Sequence, residues 1–353
     1  NGADLGTSTS GRINLLSPDG EVGVSDVVSL TAALLPLQVV LSTVVVALLS
    51  MTSLHLSLGF SVAVVALSVA TMMFNSAVFL FHGLRRYRDV LVTEASLAGV
   101  QIIVLASLMV SGRLTTTSAV VTMAVGSVVG TLRLVWAADA LQHGVRSWGV
   151  IHWRQLIIEG FSPMAGSVAL FLALRLDRIV LAVAAGRHSL GIYTVALAIP
   201  ETLRILPRAV GQVIADRGRS GIDSVATARR HTRLFVVGHG LVLAAAALVG
   251  WFLLPAVFGE GFVDSRDVLV VVTVAEAVLS IHLMNQILLV GFGRPHGIGV
   301  PQVVGAVVMV ALALAMIPKW GMHGAAWAAL FGYSALALTS TIWTNHELRR
   351  VGP

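Results

Sequence analysis

The sequence predicts an all-α polytopic membrane protein, and three observations carry that prediction. Of 353 residues, 56% are hydrophobic and only 11% are charged, with a mean hydropathy of +0.89; a soluble domain carries about a quarter charged residues. Apolar runs of about 20 residues recur from end to end, each long enough to cross ~30 Å of hydrocarbon as a helix. The ~10-residue alternating segments of a spanning β-barrel do not occur in the pattern.

Ten spans follow from these runs: residues 27–52, 58–81, 90–111, 116–138, 155–186, 190–215, 232–257, 267–291, 298–317 and 322–344. The opening NGADLGTSTSGRINLL reads as the last half of another helix running into a polar loop. The chain starts at Asn1 without a charged and apolar leader, so the expectation is a missing N-terminus rather than a signal peptide. With no cysteine, disulfides and thiolate metal sites are excluded.

Loop charges predict the orientation. One set of loops holds Arg12, Arg85, Arg86, Arg88, Arg146, Arg154, Arg217, Arg219, Arg229, Arg230, Arg233, Arg294, Arg349 and Arg350. The alternate set holds only Arg113, Arg187, Arg266 and Lys319, which places the first set and the C-terminus in the cytoplasm. The net charge of +6 therefore reads as positive-inside bias, and its scatter over loops argues against a nucleic-acid partner.

A repeat is visible as well. The stretch from HGLRRYRDV to TMAVG matches the stretch from GFGRPHGIG to LFGY in layout, with a basic loop, an apolar span, a turn containing Gly112 or Gly321, and a small-residue span. The offset, Gly112 to Gly321, is 209 residues. Two halves of like orientation with a substrate site between them are common in transporters, although any two helical hairpins share some of this layout.

The chemistry lies in charges within apolar runs. LRLDRIVLA places Arg175, Asp177 and Arg178 inside the span 155–186. Charge at this depth costs about 2.5–3.5 kcal/mol per residue and usually faces a bundle interior or a wet cavity. The following span runs back and carries Glu201, Arg204 and Arg208 on one helical face, bracketed by Pro200 and Pro207, each able to kink the helix. Arg178 and Glu201 fall at matching depth, so they are expected to pair or to share a cavity wall. Arg133, in the inner third of its span, either joins such a cavity or snorkels to the cytoplasmic interface. Glu276, near a midplane, either couples an ion through a raised pKa or pairs with an arginine. His282, Asn285 and Gln286 fit a cavity wall or interhelical hydrogen bonds. These arginines exceed the three carboxylates by two, which suits a phosphate-bearing or acidic ligand better than a neutral structural network, and arginine forms bidentate bonds to phosphate. Structural ion pairing between two helices is the plainer alternative. No catalytic or metal-ligand constellation appears, so neither an enzyme nor a metal or other cofactor is expected.

The segment GVIHWRQLIIEGFSPMAGSVALFLALRLDRIVLAVAAGRHSLGIYTVALAIPETLRILPRAVGQVIA resembles polysaccharide-unit flippases of the multidrug/oligosaccharidyl-lipid/polysaccharide exporter superfamily. The features that carry the likeness are a helix with Pro163, the charged step Arg175/Asp177/Arg178, the turn Gly186/Leu190/Gly191/Tyr193 and a helix bearing Glu201; the outer turn GMHGAAWA is similar too. The resemblance implies a two-lobe bundle, with residues 1–145 as an incomplete N-terminal lobe and 146–353 as the C-terminal lobe. On that template the ten spans are helices three to twelve, and helix one with most of helix two is absent. It further implies flipping of a lipid-linked oligosaccharide or polysaccharide precursor in the cell membrane, beside membrane lipids, a glycan polymerase and glycosyltransferases. Arg175, Asp177, Arg178, Glu201, Arg204, Arg208 and Arg133 would line the head-group cavity, with Glu276 for ion coupling. A drug/cation antiporter or peptidoglycan-precursor flippase of the same superfamily, and a non-transporting scaffold or truncated remnant, are the alternatives.

Overall fold

The structure, a computed structural model, describes residues 24–50, 56–84, 86–137 and 153–349. The expected helix tail in residues 1–23, with Arg12, lies outside them, as do Arg85, Asp139, Arg146 and Arg350. The described residues form α-helices with short 3-10 turns and no strand. They are α1 (Val24–Ser50), α2 (Leu58–Gly83), α3 (Tyr87–Val110), α4 (Thr116–Ala137), α5 (Trp153–Ala173), α6 (Leu176–Leu203), α7 (Ile205–Arg219), α8 (Val225–Phe258), α9 (Ser265–Gly291) and α10 (Gly299–Arg349). Seven of them, α1 to α4 and α8 to α10, are long and apolar enough to cross a membrane. Their many exposed valines, leucines, phenylalanines and tryptophans suit hydrocarbon rather than water. The protein is a multi-pass membrane protein.

The chain divides into two compact units, residues 1–164 and 165–353. In the first, α2 packs along α4 and against α1, around Leu30, Met72, Phe81, Leu134 and Leu156. A polar clasp ties α1 to α2: Gln38 donates to Ser42 and Ser68, whose hydroxyls lie 2.8 Å apart. Between lipid-bathed helices such bonds are worth about 0.6 kcal/mol each, up to ~1.7.

In the second unit α9 is the central helix, touching α6, α7, α8 and α10 and burying residues on most of its circumference. Asn285 settles one choice left open by the sequence, since it donates to Thr341 and Ser340 of α10 across the helix interface. At the α7–α8 turn, Arg217 holds Asp223 through two hydrogen bonds, 2.8 and 3.0 Å, and this guanidinium keeps the Asp223 carboxyl below the usual carboxylate range.

Two helices are in fact hairpins. α10 folds back at Gly321, whose φ of 54° only glycine adopts without strain. Residues placed symmetrically about that turn meet: Gly324 lies on Met316, Gly332 on Met309 and Gly305 on Leu336. α6 folds back at Gly186, φ 80°. A straight helix would hold Asp177 and Tyr193 ~24 Å apart, yet the Tyr193 hydroxyl donates to the Asp177 carboxylate. Gly112, which the sequence repeat aligns with Gly321, also has positive φ and joins α3 to α4.

Two of the ten expected spans are not single helices. The span 155–186 is interrupted after Ala173, where Arg175 leaves helical geometry (φ −129°) and its N–H reaches Leu172 at 3.2 Å. Asp177 then starts a new helix, its carboxylate accepting from the N–H of Arg178 and sitting at the positive end of the helix dipole. The span 190–215 is interrupted at Arg204. There Pro200 and Pro207 each lack a donor, and Pro207 falls in the first turn of α7, where none is needed.

The α10 hairpin yields a direct test. A Cβ on Gly324 would lie 2.7 Å from the Met316 carbonyl carbon and 3.0 Å from the Ile317 nitrogen, backbone atoms that cannot swing aside. Gly324→Ala is expected to cost about 1–3 kcal/mol, read as a lower thermal midpoint in detergent. Gly191→Ala, with open space around it, should leave the midpoint unchanged.

Candidate functional site

The charges singled out in the sequence assemble on three helices of the second unit. Glu201, near the end of α6, is the shared acceptor. Arg178 donates to one of its oxygens, while Arg175 approaches the other at 3.1 Å and Arg204 at 3.5 Å. Arg204 turns its other edge to α9, where its Nε donates to Glu276 at 2.8 Å and a terminal nitrogen donates to the second oxygen. The layer thus runs Arg175 and Arg178, Glu201, Arg204, Glu276. Beside it, Asp177 is held by the Tyr193 hydroxyl and the Arg178 N–H.

The helix interruptions position these groups. Arg175 caps the start of α6 and Arg204 stands between α6 and α7. Each therefore leaves a point where the backbone changes direction, and the Gly186 turn brings those points together. Free backbone groups at such points are tolerated in a membrane only where protein or a polar cavity meets them.

Burial grades along the layer. Glu276 and Arg204 are sealed, with side chains 2% and 9% exposed. Glu276 lies on α9 between Val272 and Leu279, which belong to two separate buried apolar clusters. The Arg175 side chain is 42% exposed, and Arg208, one turn beyond Arg204, is exposed and takes part in no ion pair among the described residues. The layer is dry at Glu276 and Arg204 and open at Arg175, and Arg208 is a separate exposed cation beyond Arg204.

The pairing expected between Arg178 and Glu201 is present. Glu276 pairs with an arginine, as one reading of the sequence had it, and not with one on a neighbouring stretch of chain. Arg133 lies in the first unit on α4, where it donates to Ser96 at 2.9 Å and to the Val92 carbonyl at 3.4 Å. Without Arg133, the candidate charges of the second unit are Arg175, Arg178, Arg204 and Arg208 against Asp177, Glu201 and Glu276, an excess of one. Sequence reasoning missed Tyr193 as the donor to Asp177. The signal available was its place seven residues after Gly186, against nine residues before it for Asp177. His282, buried in α9, forms no hydrogen bond among the described residues.

No protein-family model and no curated protein sequence matches this chain. Solved structures do. A multidrug-resistance MATE-family transporter of the MOP superfamily, in an outward-facing conformation, aligns over 99% of this chain and 84% of its own at TM-score 0.73 and 15% identity. A MOP-superfamily transporter from Pyrococcus furiosus, described as having a binding pocket of reversed polarity, aligns with the same coverage at TM-score 0.76 and 15% identity. A eukaryotic MATE transporter aligns over 99% of this chain and 86% of its own at TM-score 0.71 and 14% identity. The fold is the two-lobe all-helical fold of MATE transporters.

The graded burial separates the roles of Glu276 and Arg175. Glu276→Gln removes the two-point partner of the buried Arg204 cation, leaving it only the 3.5 Å approach to Glu201, and is expected to destabilise the protein by about 3–5 kcal/mol. Arg175→Ala, at the open end, should cost under about 1 kcal/mol. Thermal or denaturant unfolding of the purified variants measures both.

Proposed function

We propose that this protein is a transporter that moves a lipid-linked oligosaccharide or polysaccharide precursor from the inner to the outer leaflet by alternating access. The observation that carries this reading is the open end of the charged layer. Every carboxylate of the layer is already held, Asp177 by Tyr193, Glu201 by three arginines and Glu276 by Arg204. Arg175 is half-exposed and Arg208 is exposed without an ion pair, so the groups left to meet a ligand are cationic. A pyrophosphate or acidic sugar suits them, and guanidinium groups bind such oxyanions through short paired hydrogen bonds. Asp177, Arg178, Glu201 and Arg204 hold the two arms of α6 and α9 in register around that surface. Glu276, tied to Arg204 at the dry end, holds the layer together rather than accepting a coupling proton. On this reading the protein works in the cell membrane with its C-terminus in the cytoplasm, as the loop arginines suggest, beside glycosyltransferases and a glycan polymerase.

A drug/cation antiporter is the second reading, and the likeness to MATE transporters named for multidrug resistance favours it. Such a protein needs a carboxylate free for its cation, and none of the three acids in the layer is free. A peptidoglycan-precursor flippase shares the anionic-substrate logic and differs only in the sugar.

Reconstitution in liposomes distinguishes these. The wild-type protein should translocate a fluorescent lipid-linked pyrophosphoryl oligosaccharide and should not accumulate a cationic dye under an imposed proton or sodium gradient. Arg208→Gln and Arg175→Gln should each weaken the lipid-linked substrate about ten- to hundredfold, the size of a lost charged hydrogen bond, with protein yield intact. Dye transport without glycan-lipid transport would replace this reading with the antiporter.

A further inference from the structure

We propose that the cleft between α3 and α4 of the first unit holds one anionic phospholipid, with its phosphate on Arg133. The cleft has a volume of about 310 Å³ and an almost wholly apolar wall, including Leu97, Val100, Val104, Val125 and Val129. Beside it the helices touch closely at two small residues of α4. A Cβ on Gly126 would collide with Gln101 and Leu97, and one on Gly130 with Phe74 and Leu97. From Val121 to Arg133 the lining runs ~18 Å along α4, about the depth of one leaflet of a ~30 Å hydrocarbon core. Arg133 closes one end of this slot, four residues before the end of α4. Its contacts are the Ser96 hydroxyl and the Val92 carbonyl, both neutral, and it has no carboxylate partner among the described residues. A slot one leaflet deep with a lone guanidinium at its polar end matches an acyl chain and an anionic head group in both length and charge.

The repeat sharpens the inference. In the second unit the corresponding hairpin is α10, whose arms interdigitate at Gly305 under Leu336 and Gly332 under Met309, with an open groove lined by Met316, Trp320, His323, Trp327 and Phe331 near its turn. At the offset of 209 residues, the counterpart of Arg133 is Ile342, which is exposed. Packing of such a hairpin therefore does not demand the arginine. Arg133, which the sequence offered as a member of the head-group cavity or as a snorkelling residue, anchors at the interface and gains a lipid as its counter-charge.

The test uses the full-length protein in detergent with two photoactivatable lipids of identical diazirine-bearing acyl chains, a phosphatidylglycerol and a phosphatidylcholine. Adducts mapped by mass spectrometry should fall on the α3 and α4 peptides around Val100–Val104 and Val121–Val125. Phosphatidylglycerol should label there about fivefold more than phosphatidylcholine, the attraction of one basic residue. Arg133→Gln should abolish the preference while retaining weak labelling by both lipids, and Arg133→Lys should restore it. Val125→Trp, which fills the slot from an exposed position, should remove both adducts. Equal labelling by the two lipids, or a preference unaffected by Arg133→Gln, overturns the proposal. Displacement of phosphatidylglycerol from the slot by an equimolar polyprenyl phosphate overturns it in favour of the transported lipid as occupant. Because Arg175 and Arg208 play no part in the readout, this result stands apart from the outcome of the transport assay.

Discussion

An arginine and a glutamate cannot lie in hydrocarbon unless each answers the other, and the second unit is arranged around that requirement. Arg204 and Glu276 form a two-point pair sealed between two apolar clusters, and Glu201 links the same arginine to Arg175 and Arg178. Desolvating such ions costs several kcal/mol apiece, and the attraction compensates only when geometry and further hydrogen bonds are good. The consequence is a strict demand on the backbone. Three helices must present charged tips to one another at one depth, which straight transmembrane helices of this sequence would not do.

The backbone meets that demand by being irregular at chosen points. α6 doubles back at Gly186, the chain steps out of helix at Arg175, and it steps out again at Arg204 between two prolines. The departures at Arg175 and Arg204 each coincide with a residue of the charged layer, and the Gly186 turn brings the two together. The layer and the interruptions thus depend on each other. The ions hold the arms in register, and the breaks aim the ions.

This dependence explains what could be seen in the sequence. Eight of the ten spans, the turn glycines and the break near Pro200 and Pro207 are local properties of composition and backbone, and they appear where the residues place them. The Arg178–Glu201 pair was legible because a short hairpin fixes the relative depth of its two arms. The partner of Glu276 was not, since 72 residues separate it from Arg204 and the register of α9 is set by packing on four helices. The step at Arg175 was hidden for a related reason. It contains neither proline nor glycine, and it is Tyr193 on the returning arm that steadies Asp177 at the new helix start.

The two Gly-centred hairpins share close contacts at their glycines and differ in the residue at the matching end. Both turn on a positive-φ glycine, and both carry glycines along the facing arms. In α10 the glycines receive Leu336 and Met309, with an open groove nearer the turn. Between α3 and α4, Gly126 is met by Gln101 and Leu97 and Gly130 by Phe74 and Leu97, and a cleft remains between the helices beside them. Arg133 stands at one end of the cleft in the first unit, and the matching position of α10 holds Ile342. One rule governs the whole chain: a charge near or within hydrocarbon needs a partner, from the protein at the dry end of the layer and from a ligand or lipid wherever the surface is open.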